Sequence, residues 1–409
     1  MLITLKHTLL MFKYFLLQRV AFIRILSIFL LFQLDEHPIT IAQYSQTYIS
    51  FEQDTMNLFA YEGAKTMILS NTPNRDSVTM QKWLASMDGA YEYYSQCTGR
   101  EPNFFTGFTY VNDRSTIARV DKTCGAACGY IGWTGIEIMN TFFDRFYDDL
   151  EKKGEYGQEP FYEFGRNYWF YSDQLEYAES DPIVTGYAVF MRFMAMDYLQ
   201  LKGANFWSWT FDEFRSEVKG LLKTYLADQS YTWENTLAKG QGLRNTQLGA
   251  TDLFASFCFY MFDNHGGHEW VKAVWKEAGT LPKKNTTQDA VDNFIIASSR
   301  AAKQNLIPLF SEWRWPISQR VKDELTSLPV SVYEQSTDGY PFPNPAQSNG
   351  YITLPNQSRE RVSLLNSTGK MYVINKASDH VYSLKNLPVG TYYFVHDFIQ
   401  SEMIPFIVK

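Results

Sequence analysis

Apolar residues recur every three or four positions along much of the chain, and this spacing predicts amphipathic helices. One such stripe precedes residue 100, with Leu84, Met87, Tyr91 and Tyr94. From about residue 139 to residue 325 the same spacing predominates, which predicts a long helical region. Its stripes include Met139, Phe142, Phe143, Phe146 and Leu150, then Phe161, Phe164 and Tyr168, and later residues 253–262 and 290–302.

The pattern on either side of this helical region favours strands. Residues 104–111 and 116–120 are short β-like runs, and 129–138 is a β-like stretch interrupted by glycines. After about residue 328, short apolar or alternating runs follow one another between turn residues, which is typical of a small β-sandwich. We therefore predict an α+β chain. A β-containing N-terminal lobe and a helical C-terminal lobe occupy residues 43–328, and a small all-β, sandwich-like domain occupies 329–409.

Composition narrows the class of protein. The 409 residues are 45% hydrophobic and 17% aromatic, which excludes a disordered chain. The net charge of −7 argues against a nucleic-acid partner, because nucleic-acid-binding surfaces are usually basic.

Residues 1–42 have the features of a signal peptide or a membrane anchor. Lys6, Lys13, Arg19 and Arg24 precede an apolar run of about ten residues, Ile25–Leu34. That run is short for a membrane span and long enough for a signal peptide, with cleavage expected after Ala42. We expect a secreted or cell-surface protein, with membrane attachment only if the leader is retained. The candidate glycosylation sites are Asn285, Asn356 and Asn366.

The cysteine and histidine positions offer no intact metal motif. Cys124 and Cys128 form either a small disulfide or two packed thiols in a turn, since no second Cys/His pair with matching spacing exists. His265 and His268 flank a Gly-Gly turn, where an ordinary surface or capping role is expected. The segment from His268 to Lys272 has a lysine where a zinc motif has its second histidine.

Residues 162–167 differ from a known metal-binding motif at only a few positions. If Tyr162 and Arg166 were histidines, residues 162–167 would read His-Glu-x-Gly-His-Asn. This resembles the metal helix of gluzincin metallopeptidases, particularly the enhancin-like, mucin-degrading peptidases and the plant basic secretory proteins. The segment Thr185–Arg192 is similar to the stretch that carries their third ligand, with Thr185 in place of a glutamate. Residues 299–316 resemble the end of an enhancin-type domain, so the resemblance implies a zincin-like fold.

The departures from the family pattern change the expected chemistry. A catalytic zinc ion needs three protein ligands with available lone pairs. Arg166 has none, Tyr162 would have to lose a proton near pH 10, and Thr185 is a weak hydroxyl. These are vestigial metal positions, and we expect no metal and no other cofactor. Glu163, in the general-base position, is retained as a vestigial base.

Glu163 and Arg166 are three residues apart on a helix and can meet. The hypothesis is that Arg166 takes the place of the cation and neutralises Glu163, with Asn167 and Thr185 completing the hydrogen bonding. The alternative is an ordinary helix with an exposed Glu–Arg pair.

These observations favour a pseudopeptidase that binds a glycoprotein, mucin-like or peptide ligand in the old substrate cleft. The edge around 129–138 would offer backbone groups to the ligand, with Tyr130 and Trp133 as aromatic contacts. The alternative is an active zinc metallopeptidase with a rearranged site, in which Glu163 is the general base and His265 or His268 supplies ligands. A third possibility is a purely structural matrix protein.

Overall fold

The computed structural model describes residues 43–177 and 182–329, and shorter segments beyond them: 351–353, 361–366, 370–378, 381–385, 387–388, 390–394 and 405–408. The predicted leader and the sequon at Asn356 lie outside the described residues. The chain forms two compact units. The first comprises residues up to Ala302 together with Arg314–Ser318, and the second comprises Lys303–Trp313 and the described part of Gln319–Lys409.

The first unit begins with a mixed sheet of seven strands. The strand order is β1-β2-β3-β5-β7-β6, with β4 paired to β5. β3, β5 and β7 are parallel neighbours, whereas β6 runs antiparallel to β7 and forms an edge of the sheet. The strands are β1 (Gln43–Ile49), β2 (Thr55–Glu62), β3 (Thr66–Ser70), β4 (Tyr110–Val111), β5 (Arg114–Val120), β6 (Ala127–Gly129) and β7 (Ile136–Met139).

Helices make up the rest of the first unit. They are α1 (Ser77–Thr98), α2 (Asn140–Lys153), α3 (Glu159–Asn167), α4 (Ser172–Leu175), α5 (Pro182–Tyr198), α6 (Phe211–Ala227), α7 (Ala250–Asn264), α8 (His268–Thr280) and α9 (Thr287–Ala302), with a 3₁₀ turn at Leu237–Lys239. Almost every residue of α5 from Pro182 to Met196 is buried, so α5 is the central helix of this unit. A helix that is apolar all round is expected in such a position.

Side chains join the sheet to the helices. The carboxylate of Asp88 on α1 accepts hydrogen bonds from three successive N–H groups in the turn between β2 and β3.

At the start of α6, Thr210 and Glu213 form a capping box, as their spacing suggests.

The close approach of α3 to α5 depends on Gly165. A Cβ atom at this position would lie 2.7 Å from the Cα and 2.9 Å from the Cβ of Ala188 on α5. Both residues belong to the segments that resemble the gluzincin motifs. Their small size lets the two helix backbones meet, and this contact brings Tyr162 and Glu163 near Thr185.

Most of the predicted elements of the first unit are present. The apolar stripes fall on α1, α2, α3, α7 and α9. Two expectations were wrong in detail. Residues 104–109 form a loop that ends in a turn before β4. The stretch 129–138 contains the end of β6, a connecting segment and the start of β7, which pairs antiparallel with β6.

The second unit contains two short helices and an antiparallel sheet. The sheet carries a buried hydrophobic cluster of Leu364, Ile374, Tyr382, Leu384, Leu387 and Tyr392. The helices lie upstream of the boundary predicted at residue 329, which stays a prediction, as does the sandwich form. The elements are α10 (Ile307–Glu312), α11 (Gln319–Leu325), β8 (Tyr351–Thr353), β9 (Arg361–Asn366), β10 (Met371–Ser378), β11 (Val381–Ser383), β12 (Gly390–Phe394) and β13 (Pro405–Val408), with strand order β13-β12-β9-β10-β11-β8.

In the part of the chain that the structure describes, none of the helices has the length and apolar character needed to cross a membrane.

The packing of α3 on α5 gives a stability prediction. Gly165→Ala should lower the free energy of unfolding by roughly 1–3 kcal/mol, because the added methyl group overlaps Ala188. The control is Gly220→Ala on α6, where a Cβ atom meets nothing within 4 Å. That variant should gain roughly 0.5–1 kcal/mol from helix propensity. Urea denaturation measures both, and equal effects at the two glycines would contradict the account of α3–α5 packing.

Candidate functional site

A cavity of about 300 Å³ lies between α3, α5, α6 and the start of α7. We call it the α3–α5 cavity. Its residues on α3 and α5 recur at helical spacing, so each helix turns one face toward it. The lining consists of Ala126, Ala127, Glu159, Tyr162, Glu163, Thr185, Val189, Arg192, Phe206, Trp207, Phe214, Gln247, Leu248 and Asp252.

Three of the four positions singled out by the family resemblance meet in this cavity. Tyr162 and Glu163 enter it from α3, and Thr185 enters it from α5. Glu163 is only 5% exposed, so the alternative of an exposed Glu–Arg pair does not apply.

Arg166 is not among the residues that line the cavity. Its Nε donates a hydrogen bond to the carbonyl oxygen of Gly129 at 3.0 Å and lies 3.6 Å from Oε2 of Glu163. The N–H of Gly129 donates to the same Glu163 oxygen at 2.7 Å. Glu163 and Arg166 together therefore bind both backbone groups of Gly129. We call this arrangement the Gly129 clamp.

The clamp explains why residue 129 is a glycine. A Cβ atom there would lie 2.9 Å from Nδ2 of Asn167 and 3.0 Å from the carbonyl oxygen of Glu163. Without a side chain, edge strand β6 can approach α3 closely. The clamp also corrects the expectation for residue 129, because the backbone of Gly129 is bonded to α3 and is not presented to a ligand.

Burial changes the acidity of the groups in the cavity. It raises the pKa of Glu163 to about 7, although the charge of Arg166 and the N–H of Gly129 act in the opposite direction. The pKa of Tyr162 is also raised, first by burial and then by the charge of Glu163. Tyr162 is therefore a neutral phenol at physiological pH and a poor metal ligand.

The remaining charged groups of the cavity are Glu159, Asp252 and Arg192. Burial raises the pKa of both carboxyl groups. Nη2 of Arg145 lies 3.0 Å from Oε1 of Glu159, and Oδ2 of Asp252 accepts the N–H of Gly249 at 3.0 Å. Each carboxylate therefore has a partner of its own.

Trp207 stands at the rim of the cavity and was not identified from the sequence. Phe206 and Trp209 pair as an antiparallel bridge, so Trp207 and Ser208 form a two-residue turn. Trp207 has φ of +52°, a conformation unusual for a bulky residue, and its side chain is 77% exposed. Strained backbone of this kind often occurs at functional sites. The aromatic segment 206–209 between two helices was the signal available in the sequence.

All five predicted cleft residues lie outside the α3–α5 cavity: Asn167, Tyr130, Trp133, His265 and His268. Asn167 is buried, and its Nδ2 donates to the carbonyl oxygens of Tyr130 and Gly135, so it supports the turn after β6. Trp133 belongs to an exposed aromatic surface with Phe105. Tyr130 belongs to the same surface. His268 has its ring between Tyr93 and Asp197.

The other predicted positions are also placed by the structure. His265 ends α7. Asn285 is exposed in the turn before α9, whereas Asn366 lies at the end of β9. Cys124 and Cys128 form a disulfide, and Ala126 and Ala127 between them line the cavity.

The cavity does not fit a zinc ion. In the described ranges, no three His, Cys, Asp or Glu side chains come together in a group able to hold a metal. At the positions that match the family's ligands, the structure has a phenol, a guanidinium bonded to Gly129, and a hydroxyl.

The raised pKa of Glu163 predicts a pH effect on stability. The charged form is disfavoured in the fold, so the contribution of Glu163 to stability is complete below about pH 4.5 and is lost as pH rises through about 7. Over that range the free energy of unfolding of the wild type should fall, by up to about 3 kcal/mol, relative to Glu163→Gln.

Denaturation of both proteins between pH 4 and pH 8 measures this difference. Glu269→Gln, at an exposed carboxylate on α8, controls for the loss of one charge. Parallel curves for the wild type and Glu163→Gln would contradict the assignment.

Comparisons with known proteins give only distant likenesses. No family model matches the chain. A stretch of 57 residues is 39% identical to human TRPM8 channel-associated factor 2 and covers 14% of this chain. It covers 6% of that protein, so the match spans a small part of the relative's length.

Among solved structures, the chain is similar to several metallopeptidase domains. ZmpB metallopeptidase from Clostridium perfringens is 14% identical, with a TM-score of 0.45, over 88% of this chain and 70% of that one. The M60 catalytic domain of ZmpC from the same organism, solved in complex with the sialyl T antigen, is 13% identical with a TM-score of 0.46, over 87% and 70% of the two chains. A Bacteroides thetaiotaomicron metallopeptidase is 10% identical, with a TM-score of 0.44, over 87% and 66%. At these scores, the likenesses do not establish a family or an activity.

Proposed function

We propose that this chain is a metallopeptidase-like protein that does not bind zinc and instead binds a glycoprotein in the α3–α5 cavity. We further propose that it is secreted or held at the cell surface. The observation that carries the proposal is the Gly129 clamp: the carboxylate in the general-base position is bonded to the edge strand. The term metallopeptidase-like rests on the resemblance of residues 162–167 and 185–192 to the metal-binding motifs of gluzincin peptidases.

The chemistry of the ligand positions supports the loss of zinc. Arg166 is cationic and offers no lone pair, so it repels a divalent ion. Tyr162 keeps its proton, since burial raises its pKa. Thr185 is neutral. A functioning zinc site would need all three of these positions to change.

The composition of the cavity favours a sugar as the bound group. Its walls combine aromatic rings, at Phe206, Trp207 and Phe214, with charged or amide side chains such as Gln247 and Asp252. Aromatic faces pack against the C–H face of a sugar ring, while planar polar groups pair with its hydroxyls. A volume of about 300 Å³ is at the small end of ligand cavities, which suits one terminal sugar of a glycoprotein better than a length of peptide.

A mucin-binding measurement tests this proposal. The wild-type protein should bind immobilised mucin, and Trp207→Ala should weaken binding by about tenfold or more because the exposed ring at the rim is lost. The matched control is Trp133→Ala, which removes another exposed tryptophan that does not line the cavity. Surface plasmon resonance gives both dissociation constants.

Two results would count against the proposal. One is that intact mucin does not bind, or that it binds equally well after its glycans are removed. The other is a larger loss in Trp133→Ala than in Trp207→Ala, which would move the ligand to the exposed aromatic surface around Tyr130.

One observation favours a second function, an active zinc peptidase. Glu163 lines the cavity with a pKa of about 7, which is suitable for a general base. That function needs ligands from elsewhere, and the two histidines suggested for the role, His265 and His268, do not line the cavity.

A cleavage assay with zinc separates the two functions. Purified protein incubated with zinc should hold no stoichiometric metal and should leave a proteome-derived peptide library intact. Chelator-sensitive cleavage that disappears in Glu163→Gln would establish the peptidase and overturn the proposal.

A further inference from the structure

The guanidinium of Arg192 is buried against the α3–α5 cavity without a partner. Arg192 is 3% exposed and lies two turns along α5 from Thr185, on the same face. Among the described residues it forms no hydrogen bond or ion pair, and its buried Nε has no acceptor.

Aromatic rings account for only part of the environment of Arg192. The centre of its guanidinium lies 4.7 Å from the ring centroid of Phe206, 4.6 Å from that of Phe214 and 5.1 Å from that of Phe193. Such rings stabilise the cation through their faces but do not act as strong acceptors for its five N–H groups. Burying these groups unpaired is costly, and buried arginines normally have an acceptor.

The nearby carboxylates do not supply that acceptor. Glu159 and Asp252 both line the cavity, but neither forms an ion pair with Arg192. Glu159 pairs with Arg145, and Asp252 caps the start of α7. The cavity therefore contains a cation whose in-plane donors are unused.

We propose that Arg192 receives a carboxylate of the ligand, and that the sugar bound in the cavity is an acidic one. The inference rests on the proposed function and specifies its ligand. A carboxylate matches the planar fork of a guanidinium through two parallel hydrogen bonds. A phosphate matches it too, but its second negative charge would be repelled by Glu159, Glu163 and Asp252. The exposed ring of Trp207 then contacts the apolar face of the sugar.

The direct test compares an acid with its ester on the wild-type protein. The probes are the methyl glycosides of N-acetylneuraminic acid and of glucuronic acid, each beside its carboxyl methyl ester. Isothermal titration calorimetry should show that at least one acid binds about tenfold or more tightly than its ester, because esterification removes the charge and one acceptor. Equal binding of acid and ester in both pairs, or no binding of either acid, would overturn the proposal.

Two variants locate the effect. Arg192→Met should abolish the preference for the acid, and Arg192→Lys should reduce it because lysine lacks the planar fork. Arg100→Met is the control, since Arg100 stacks on Phe170 away from the cavity. An acid preference that survives in a folded Arg192→Met protein would assign the carboxylate to another residue. If that variant does not fold, the acid–ester comparison on the wild type decides alone.

The inference and the proposed function fail in different ways. If mucin binding depends on Trp207 but shows no preference for acidic sugars, the role proposed for Arg192 is contradicted and the glycoprotein function is supported. If the protein prefers acidic sugars but does not bind glycoproteins, the proposed function is contradicted and the carboxylate site at Arg192 is supported.

Discussion

The bond between the Glu163 carboxylate and the Gly129 amide holds the site of this protein together. It joins helix α3 to the edge strand of the sheet, at 2.7 Å and with almost no exposure to solvent. Arg166 reinforces it through the carbonyl of the same glycine. Since Tyr162 and Glu159 lie on the same helix, the clamp also fixes their positions in the cavity. A carboxylate held in this way stabilises a wall of the cavity.

The other walls depend on close packing and on a strained turn. Gly165 lets α3 meet α5 at Ala188, which brings Thr185 and Arg192 to face α3. In the turn at Trp207, this residue has a positive φ angle, which is unfavourable for a bulky side chain, and its ring is exposed. An exposed aromatic ring at the rim and a buried arginine without a hydrogen-bond acceptor both lower the stability of the fold, and a bound ligand would offset this loss. These features together favour a binding site in this cavity.

The sequence predicted the helices well because their apolar stripes are local and regular. The resemblance at residues 162–167 and 185–192 also identified three residues that line one cavity. Helical spacing indicated that Glu163 and Arg166 are neighbours, but it could not show that Arg166 turns toward β6. That direction depends on where the edge strand packs, which is a long-range contact. The sequence did not indicate Trp207 or Asp252 as site residues for the same reason, because only the tertiary fold brings them to the cavity beside α3.

The clamp can be observed directly through the amide resonance of Gly129 in the full-length protein. If Glu163 accepts this N–H and has a pKa of about 7, the ¹⁵N and ¹H shifts of Gly129 should titrate with a midpoint near pH 7. The titration should vanish in Glu163→Gln. A Gly129 amide that does not respond to pH, or that follows a midpoint near 4.5, would contradict the clamp and the account built on it.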